Sequence, residues 1–318
     1  MLGTSVKYPD SKDEIKKCST TLNMEETESA KKGYTQDHYN PEQAITNPIT
    51  EYKDDGLASS FKDLTADDVP KDPFVFISSP RRAGKSELVL HLLRQFHAKK
   101  RFTHYGLVSQ TLSGYEGVIP FTYQWESLEH VGDIISKCQD VAEYNAKVKE
   151  KEKDHFIDCS FLLILDDVIG DPSDIRKIGS HIKKISVNGR HIFRDDPNKK
   201  NEFGMILISQ KITAIPPVIR QNADIVCSAR LASRVERETY IENFLTLTSG
   251  RDGLKEARRV FDSITLQEYT FICVLAYKSI RTSHQSYVRK LKADIKAKSE
   301  KLFGTDKDWR AKKSRVAF

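Results

Sequence analysis

Five short, mainly apolar runs decide what this chain can fold into: FVFIS (74–78), YGLVS (105–109), FLLILDD (161–167), GMILISQ (204–210) and ADIVCSA (223–229). Each is strand-sized and bounded by turn or polar residues. FVFIS has no polar face, as expected of a strand buried on both sides. Between the runs lie apolar stripes at helical spacing: Leu88, Val89, Leu92, Leu93 and Phe96, then Leu128, Val131, Ile135, Cys138 and Ala142. A further helix is expected over 173–185. Strands alternating with helices predict an α/β fold with a mainly parallel central sheet flanked by helices. SGYEGVIPFTYQW, between the second strand and second helix, reads as an aromatic loop. YTFICVLAYKS (269–279) reads as a late edge strand, and Val288, Leu291, Ile295 and Leu302 as a terminal amphipathic helix.

Three regions are expected: a polar N-terminal extension (1–70), a globular body (71–280) and a basic amphipathic tail (281–318). The chain carries +6 overall, yet from Lys278 onwards thirteen basic residues face only four acidic ones. Such asymmetry suits either a polyanionic partner or a solvated lysine-rich helix. The five cysteines are scattered without metal-ligand spacing and read as reduced thiols. No apolar run approaches the ~20 residues that span a bilayer. The start lacks the apolar core of a signal peptide, so an intracellular location and no membrane partner are expected.

The chemistry concentrates around SSPRRAGKSELVLHLL (78–93). A phosphate-binding loop needs backbone N–H groups converging on an anion at a helix N-terminus. Gly84 supplies a position without a side chain, Lys85 would reach the β- and γ-phosphates, and Ser86 would place its hydroxyl on Mg²⁺. The segment Ser79, Pro80, Arg81, Arg82, Ala83, Gly84, Lys85, Ser86 and Glu87 is the expected contact with ATP. Ser79 stands where the first glycine of the usual loop belongs. At the end of another apolar strand, Asp166 would hold the Mg²⁺ shell through water, and Asp167 would orient or deprotonate the attacking water. Gln210, at the end of GMILISQ, can contact both γ-phosphate and lytic water, or simply terminate a strand.

With these pieces in order, the chain resembles the FtsK–HerA superfamily of ring-forming DNA-pumping ATPases. Within it, the likeness is to genome-packaging ATPases of large eukaryotic DNA viruses and virophages. It rests on RRAGKS, LILDD and the run NGRHIFRDDPNKKNEFGMILISQKITAIPPVIRQNADIVCS, together covering about residues 73–230. The resemblance implies a P-loop NTPase fold of the ASCE type, with an extra strand between the loop strand and the LILDD strand. It implies that Gln210 senses γ-phosphate loss and that an arginine is delivered to a neighbour's ATP. Arg190 is the first candidate, and Arg220 is the second, with an interface or coupling role as its alternative. Asp167 departs from the glutamate often found at its position.

The implied function is an ATP-hydrolysing motor that moves double-stranded DNA into a viral capsid. Its expected partners are DNA, a homo-oligomeric ring and capsid portal or vertex proteins, in host-cell cytoplasm or a viral factory. A cellular HerA-like translocase or helicase and a non-translocating nucleotide switch are the alternatives. Lys177, Lys183, Lys184 and Lys211, with the tail from Arg289 to Arg315, are the candidate DNA contacts.

Overall fold

In the computed structural model the described residues are 56–109, 115, 117–120, 123–126, 128–148, 155–167, 182–248, 250–278, 281–293, 301, 303–304 and 306–310. The chain divides into two units, Met1–Thr50, outside the described residues, and Glu51–Phe318. The second unit holds all the described residues. Its strands are β1 (Phe74–Ser78), β2 (His104–Ser109), β3 (Gln124–Trp125), β4 (Phe161–Asp166), β5 (Phe203–Ser209), β6 (Ile225–Ser228), β7 (Thr270–Leu275) and β8 (Val288–Lys292). They form one sheet in the order β3-β2-β4-β5-β1-β6-β7-β8. The first six are parallel, and only β7 runs against the rest.

Burial on both faces explains the apolar strands. Phe74 and Phe76 join one hydrophobic layer, with Leu163, Leu165, Met205 and Leu207 from neighbouring strands. Val75 and Ile77 point into the other, with Leu162, Ile164, Ile206 and Ile208. Alternate residues thus feed two cores, as the two-residue period of a strand requires. Helix α1 (Lys85–Ala98) covers the second layer through Leu88, Val89, Leu92, Leu93 and Phe96. The first layer is covered by α2 (His130–Lys147), α3 (helical residues 182–188), α5 (Arg234–Tyr240) and α6 (Arg251–Ile264). The short helix α4 (Pro217–Arg220) lies between β5 and β6. The expected α/β fold is therefore observed. β5 lies between β1 and β4, so the sheet has the extra strand that the resemblance implied.

Two expectations are corrected. Val288 and Leu291 do not open a helix; they belong to β8, which pairs antiparallel with β7. The spacing of three suits a helix face, but here Val288, Arg289 and Leu291 are all buried. An extended chain there also satisfies the hydrogen-bonding edge of β7, which is why β7 is not an edge strand. Second, the body begins before residue 71. Phe61 and Leu64 are buried. Leu64 N–H donates to the Lys290 carbonyl at 2.8 Å, and Lys290 N–H to that of Lys62 at 3.0 Å. The start of the basic tail is therefore structural: Arg289 pairs with Asp68 at 3.0 Å, and Lys290 Nζ caps the Ala58 carbonyl at 3.1 Å. Four cysteines are buried free thiols, and Cys18 lies outside the described residues. No helix among the described residues is long and apolar enough to cross a membrane.

α5 runs into a π-helical turn, Ile241–Leu245. The Leu245 carbonyl accepts from Tyr287 Oη at 2.8 Å and lies 3.0 Å from His284 Nε2. Helix-terminal carbonyls need such partners. Burial holds His284 below its ordinary 6.5, against the opposing hydrogen bond to Leu245 and the charge of Glu256. Between the folded value and 6.5 the unfolded chain binds a proton that the folded chain does not. Stability is therefore full above about pH 6.5 and falls as pH drops toward the folded value. In urea titrations between pH 7.5 and 5, the wild-type midpoint should fall more steeply than that of His284→Gln.

Candidate nucleotide-binding site

The register of the parallel strands sets the site. Ser78 at the end of β1 pairs with Ser209, and Asp166 at the end of β4 pairs with Ile208. The residues that follow, namely the 79–84 loop, Asp167 and Gln210, leave the sheet along one edge, where parallel α/β sheets bind ligands.

The missing glycine at position 79 has a structural explanation. Ser79 N–H still bonds across to the Ser209 carbonyl at 3.1 Å, so this residue continues the strand and has no positive φ. The turn is made later, by Arg82 (φ 61°) and Gly84 (φ 88°). A Cβ on Gly84 would lie 2.9 Å from Tyr269 Cδ1. Such alternation of backbone handedness gathers N–H groups into an anion-binding hollow at the start of α1. The Ser78 and Ser79 hydroxyls beneath the loop are buried and unpartnered.

Lys85 opens α1 and folds back over the loop, donating to the carbonyls of Ser79 and Pro80 at 2.9 Å each. Burial pulls its ammonium below the ordinary lysine value; the Asp167 and Asp166 carboxylates oppose this, and Arg81 adds to it. Asp166 is buried, and that burial raises its carboxyl above the usual range, with Asp167 adding to the rise and Tyr115 and Lys85 opposing it. Asp167 takes a left-handed backbone (φ 53°) and turns out of β4, its N–H bonding the Ile208 carbonyl at 3.3 Å. Gln210 Nε2 donates to Asp167 Oδ2, and Arg81 Nε donates to Gln210 Oε1 at 3.1 Å. The loop, the β4 end and the β5 end are thus joined by one chain of side-chain bonds.

Two residues near the loop escape the sequence reading. Tyr115, within the aromatic loop, is fully buried and donates to Asp166 Oδ2 at 2.8 Å. Tyr269 packs on Gly84 and lines, with Arg82, Ala83, Arg230 and Glu268, a cavity of about 290 Å³ beside the loop. Their only sequence signal is an aromatic just beyond or just before a strand. Glu87 is half-buried in the first turn of α1.

The two arginines behave differently. Arg190 lies in a 3₁₀ turn, Gly189–His191, beside Asp72, Phe74, Phe203 and Asp224. That is the opposite end of the strands, on the order of 15 Å away for a five-residue strand. It is exposed there, so it does not face this chain's own loop. Burial raises the neighbouring Asp224 carboxyl, opposed by the Phe74 N–H it accepts at 2.8 Å and by Arg190. Arg220 is turned inward, donating to the carbonyls of Ile212 (3.2 Å) and Ile215 (3.1 Å). Burial lowers its value, against the pull of Glu236. Glu236 in turn accepts from Ile212 N–H at 2.6 Å, so both brace the loop that follows Gln210. Lys183, Lys184 and Lys211 are exposed, and Lys177 lies outside the described residues.

The donor set fits a magnesium–nucleotide. Ser86 and Asp166 offer hard oxygen ligands, as Mg²⁺ prefers. Among the described residues no three His, Cys, Asp or Glu side chains cluster as a metal site. Gly84 leaves the backbone bare where phosphate would pass.

No protein-family model matches the chain, and no curated protein does. Several solved structures are similar in fold. B204, the DNA-packaging ATPase from Sulfolobus turreted icosahedral virus, aligns with 15% identity and a TM-score of 0.44, over 70% of this chain and 98% of B204. The B204 genome-packaging NTPase of Sulfolobus turreted icosahedral virus 2, in complex with ATP-γS, aligns with 17% identity and a TM-score of 0.38, over 69% of this chain and 96% of its own. The pCW3 conjugation coupling protein TcpA, as a monomer with ATP-γS, gives 12% identity and 0.45, over 78% and 71%. At such values the likeness concerns the outline of the fold and assigns no residue a role.

Gly84→Ala tests the loop geometry. A positive φ costs an L-residue roughly 1–2 kcal/mol, and the new methyl would push on Tyr269. Thermal melts should show a modestly less stable protein, and the stabilising shift given by added nucleotide should disappear.

Proposed function

We propose that the chain is a magnesium-dependent ATPase that uses hydrolysis to move double-stranded DNA, packaging a viral genome. The observation that carries the ATPase reading is the in-register row Lys85–Ser86, Asp166–Asp167 and Gln210 at one sheet edge, joined by the Arg81–Gln210–Asp167 bonds. The DNA reading rests on the family-like succession from Gly189 to Asp224 in the sequence.

Phosphoryl transfer to water needs positioning and charge neutralisation more than covalent chemistry. Lys85 exchanges its two loop carbonyls for phosphate oxygens. Asp167 orients the attacking water. Ser86 and Asp166 would hold Mg²⁺, which would supply charge neutralisation when bound. Gln210 exchanges its bond to Arg81 for a phosphate contact and releases it after hydrolysis. The loop beyond Gln210, braced by Arg220 and Glu236, then carries the change toward α4. The base would occupy the cavity beside Tyr269 and Arg82.

Arg190 faces away from its own site and is exposed, which supports a role toward a neighbouring copy in a ring. A positioned trans arginine is worth about 10³–10⁵ in rate. DNA contact would be phosphate-directed and strongly salt-dependent, with Lys183, Lys184 and Lys211 as candidates and portal or vertex proteins as further partners.

Steady-state hydrolysis should rise when long duplex DNA is added and fall about 10²-fold or more in Lys85→Ala. Unchanged turnover in that variant removes the ATPase reading. Turnover indifferent to DNA removes the motor and leaves a nucleotide switch. Co-assembled mixtures of Arg190→Ala and Lys85→Ala subunits should recover part of the activity at mixed interfaces. Inactive mixtures would show that Arg190 is not the trans arginine.

A further inference from the structure

Tyr269 has a backbone conformation that its side chain disfavours. Thr270 N–H bonds the Gln267 carbonyl at 3.2 Å, which closes a tight turn at the start of β7. Tyr269 is the third residue of that turn and has φ 59°, a place that glycine or asparagine normally takes. Ala293 N–H, just beyond β8, bonds the Tyr269 carbonyl at 2.9 Å and pins the residue there. The ring then fills the space that Gly84 leaves free, with Cδ1 2.9 Å from where a Cβ on Gly84 would stand. Backbone strain in a bulky residue points to a use for its side chain. This ring packs on the phosphate loop and also lines the cavity of about 290 Å³ beside it.

The polar groups around that cavity are either committed or exposed. The two buried hydroxyls that line it have partners: Thr265 Oγ1 donates to the Phe261 carbonyl at 2.8 Å, and Thr270 Oγ1 to that of Glu268 at 3.5 Å. The carbonyls of Ala229, Gln267, Glu268 and Tyr269 each already accept a hydrogen bond. Arg82, Arg230, Gln267 and Glu268 are exposed. What the fold fixes is an apolar surface of Ala83, Ala229, Leu266 and the Tyr269 ring. A site with buried hydrogen-bonding groups rejects the wrong substrate steeply, whereas apolar contact separates analogues weakly. Stacking on an aromatic ring tolerates any base, because every base has a π-face. We propose that the site selects nucleotides by the flat area of the base, taking ATP and GTP alike and pyrimidine nucleotides less well, and that Tyr269 is the residue that determines this. The proposal rests on the ATP-site reading above and names its substrate class as purine nucleoside triphosphates.

The test measures hydrolysis by the full chain with Mg²⁺ and ATP, GTP, CTP, UTP or inorganic tripolyphosphate, which has no base. In wild type, kcat/KM for ATP and GTP should agree within about fivefold, and the values for CTP and UTP should lie about tenfold lower, through KM. Tyr269→Leu should lower kcat/KM for ATP about tenfold relative to tripolyphosphate, again through KM, and close the gap between purines and pyrimidines. Tyr269→Phe keeps the ring and should keep the gap. Tyr269→Asn removes the ring and tolerates the positive φ, so it serves if the leucine variant folds poorly. ATP favoured over GTP by more than about fivefold overturns the proposal, because the edges of the base are then read. A wild type without the purine–pyrimidine gap overturns it as well. So do equal losses with ATP and tripolyphosphate in the ringless variants, because Tyr269 then only supports the loop. Wild-type protein that hydrolyses none of these substrates removes the ATPase reading itself, and the proposal falls with it.

Discussion

The register between β1, β4 and β5 is the constraint on which the site depends. A shift of one residue would turn every side chain of a strand to the opposite face. With both faces buried, no such shift is tolerated, so the strand ends are held in fixed relative positions. Ser78, Asp166 and Ser209 finish their strands within a residue of one another. The loop, the carboxylate pair and Gln210 emerge from that row. Side-chain chemistry at the site is thus positioned by backbone hydrogen bonds several residues below it.

The charges at the row are held in partial tension. Lys85 and Asp166 are both shifted by burial toward their neutral forms, and each is drawn back by the other. Lys85 directs its donors to two loop carbonyls, and Asp166 takes its proton donor from a phenol. Among the described residues, neither group has a full ionic partner among its hydrogen bonds. A bound polyanion with a divalent cation would relieve both at once, since phosphate offers Lys85 a charged acceptor and the cation offers Asp166 a charged partner. At the other end of the sheet a different balance holds. Arg101 and Glu202 form a paired, nearly buried bridge, with nitrogen–oxygen distances of 2.8 Å. Arg190 stays exposed beside Asp224.

The strands that build the site are legible in the sequence because burial on both faces leaves no polar position to confuse the pattern. FVFIS matches β1 residue for residue. GKS, LILDD and the glutamine after GMILIS fall on one edge by their order in the chain, because parallel strands end where ligands bind. Other parts are less legible for physical reasons. Val288 and Leu291 have a spacing shared by a helix face and by a strand buried on both faces, and only the open edge of β7 decides between them. Phe61 and Leu64 are too sparse in a polar stretch to announce a docked segment. α5 and α6 carry Tyr240, Ala257, Val260, Phe261 and Ile264 on the buried side, but their many charges mask the stripe. Tyr115 and Tyr269 act through space, and no linear pattern marks an aromatic that touches a distant loop. Arg220 carries a similar ambiguity: its position in the chain does not say whether it faces a neighbour or its own loop, and here it holds the carbonyls of Ile212 and Ile215.

The docking of residues 62–64 along β8 has a consequence for how the chain comes into being. Leu64 is made more than two hundred residues before its hydrogen-bond partner Lys290, in β8. β1 is in the same position, since its neighbours β5 and β6 begin at Phe203 and Ile225. A chain emerging from the ribosome therefore holds this apolar strand without a partner until β5 is made, and the edge of β7 stays open until β8 follows. Long-range parallel pairing of this kind folds slowly and leaves strands exposed to other chains meanwhile. Until β8 is made, the free edge of β7 and residues 62–64 lack their partners, and that interval is when wrong pairings compete.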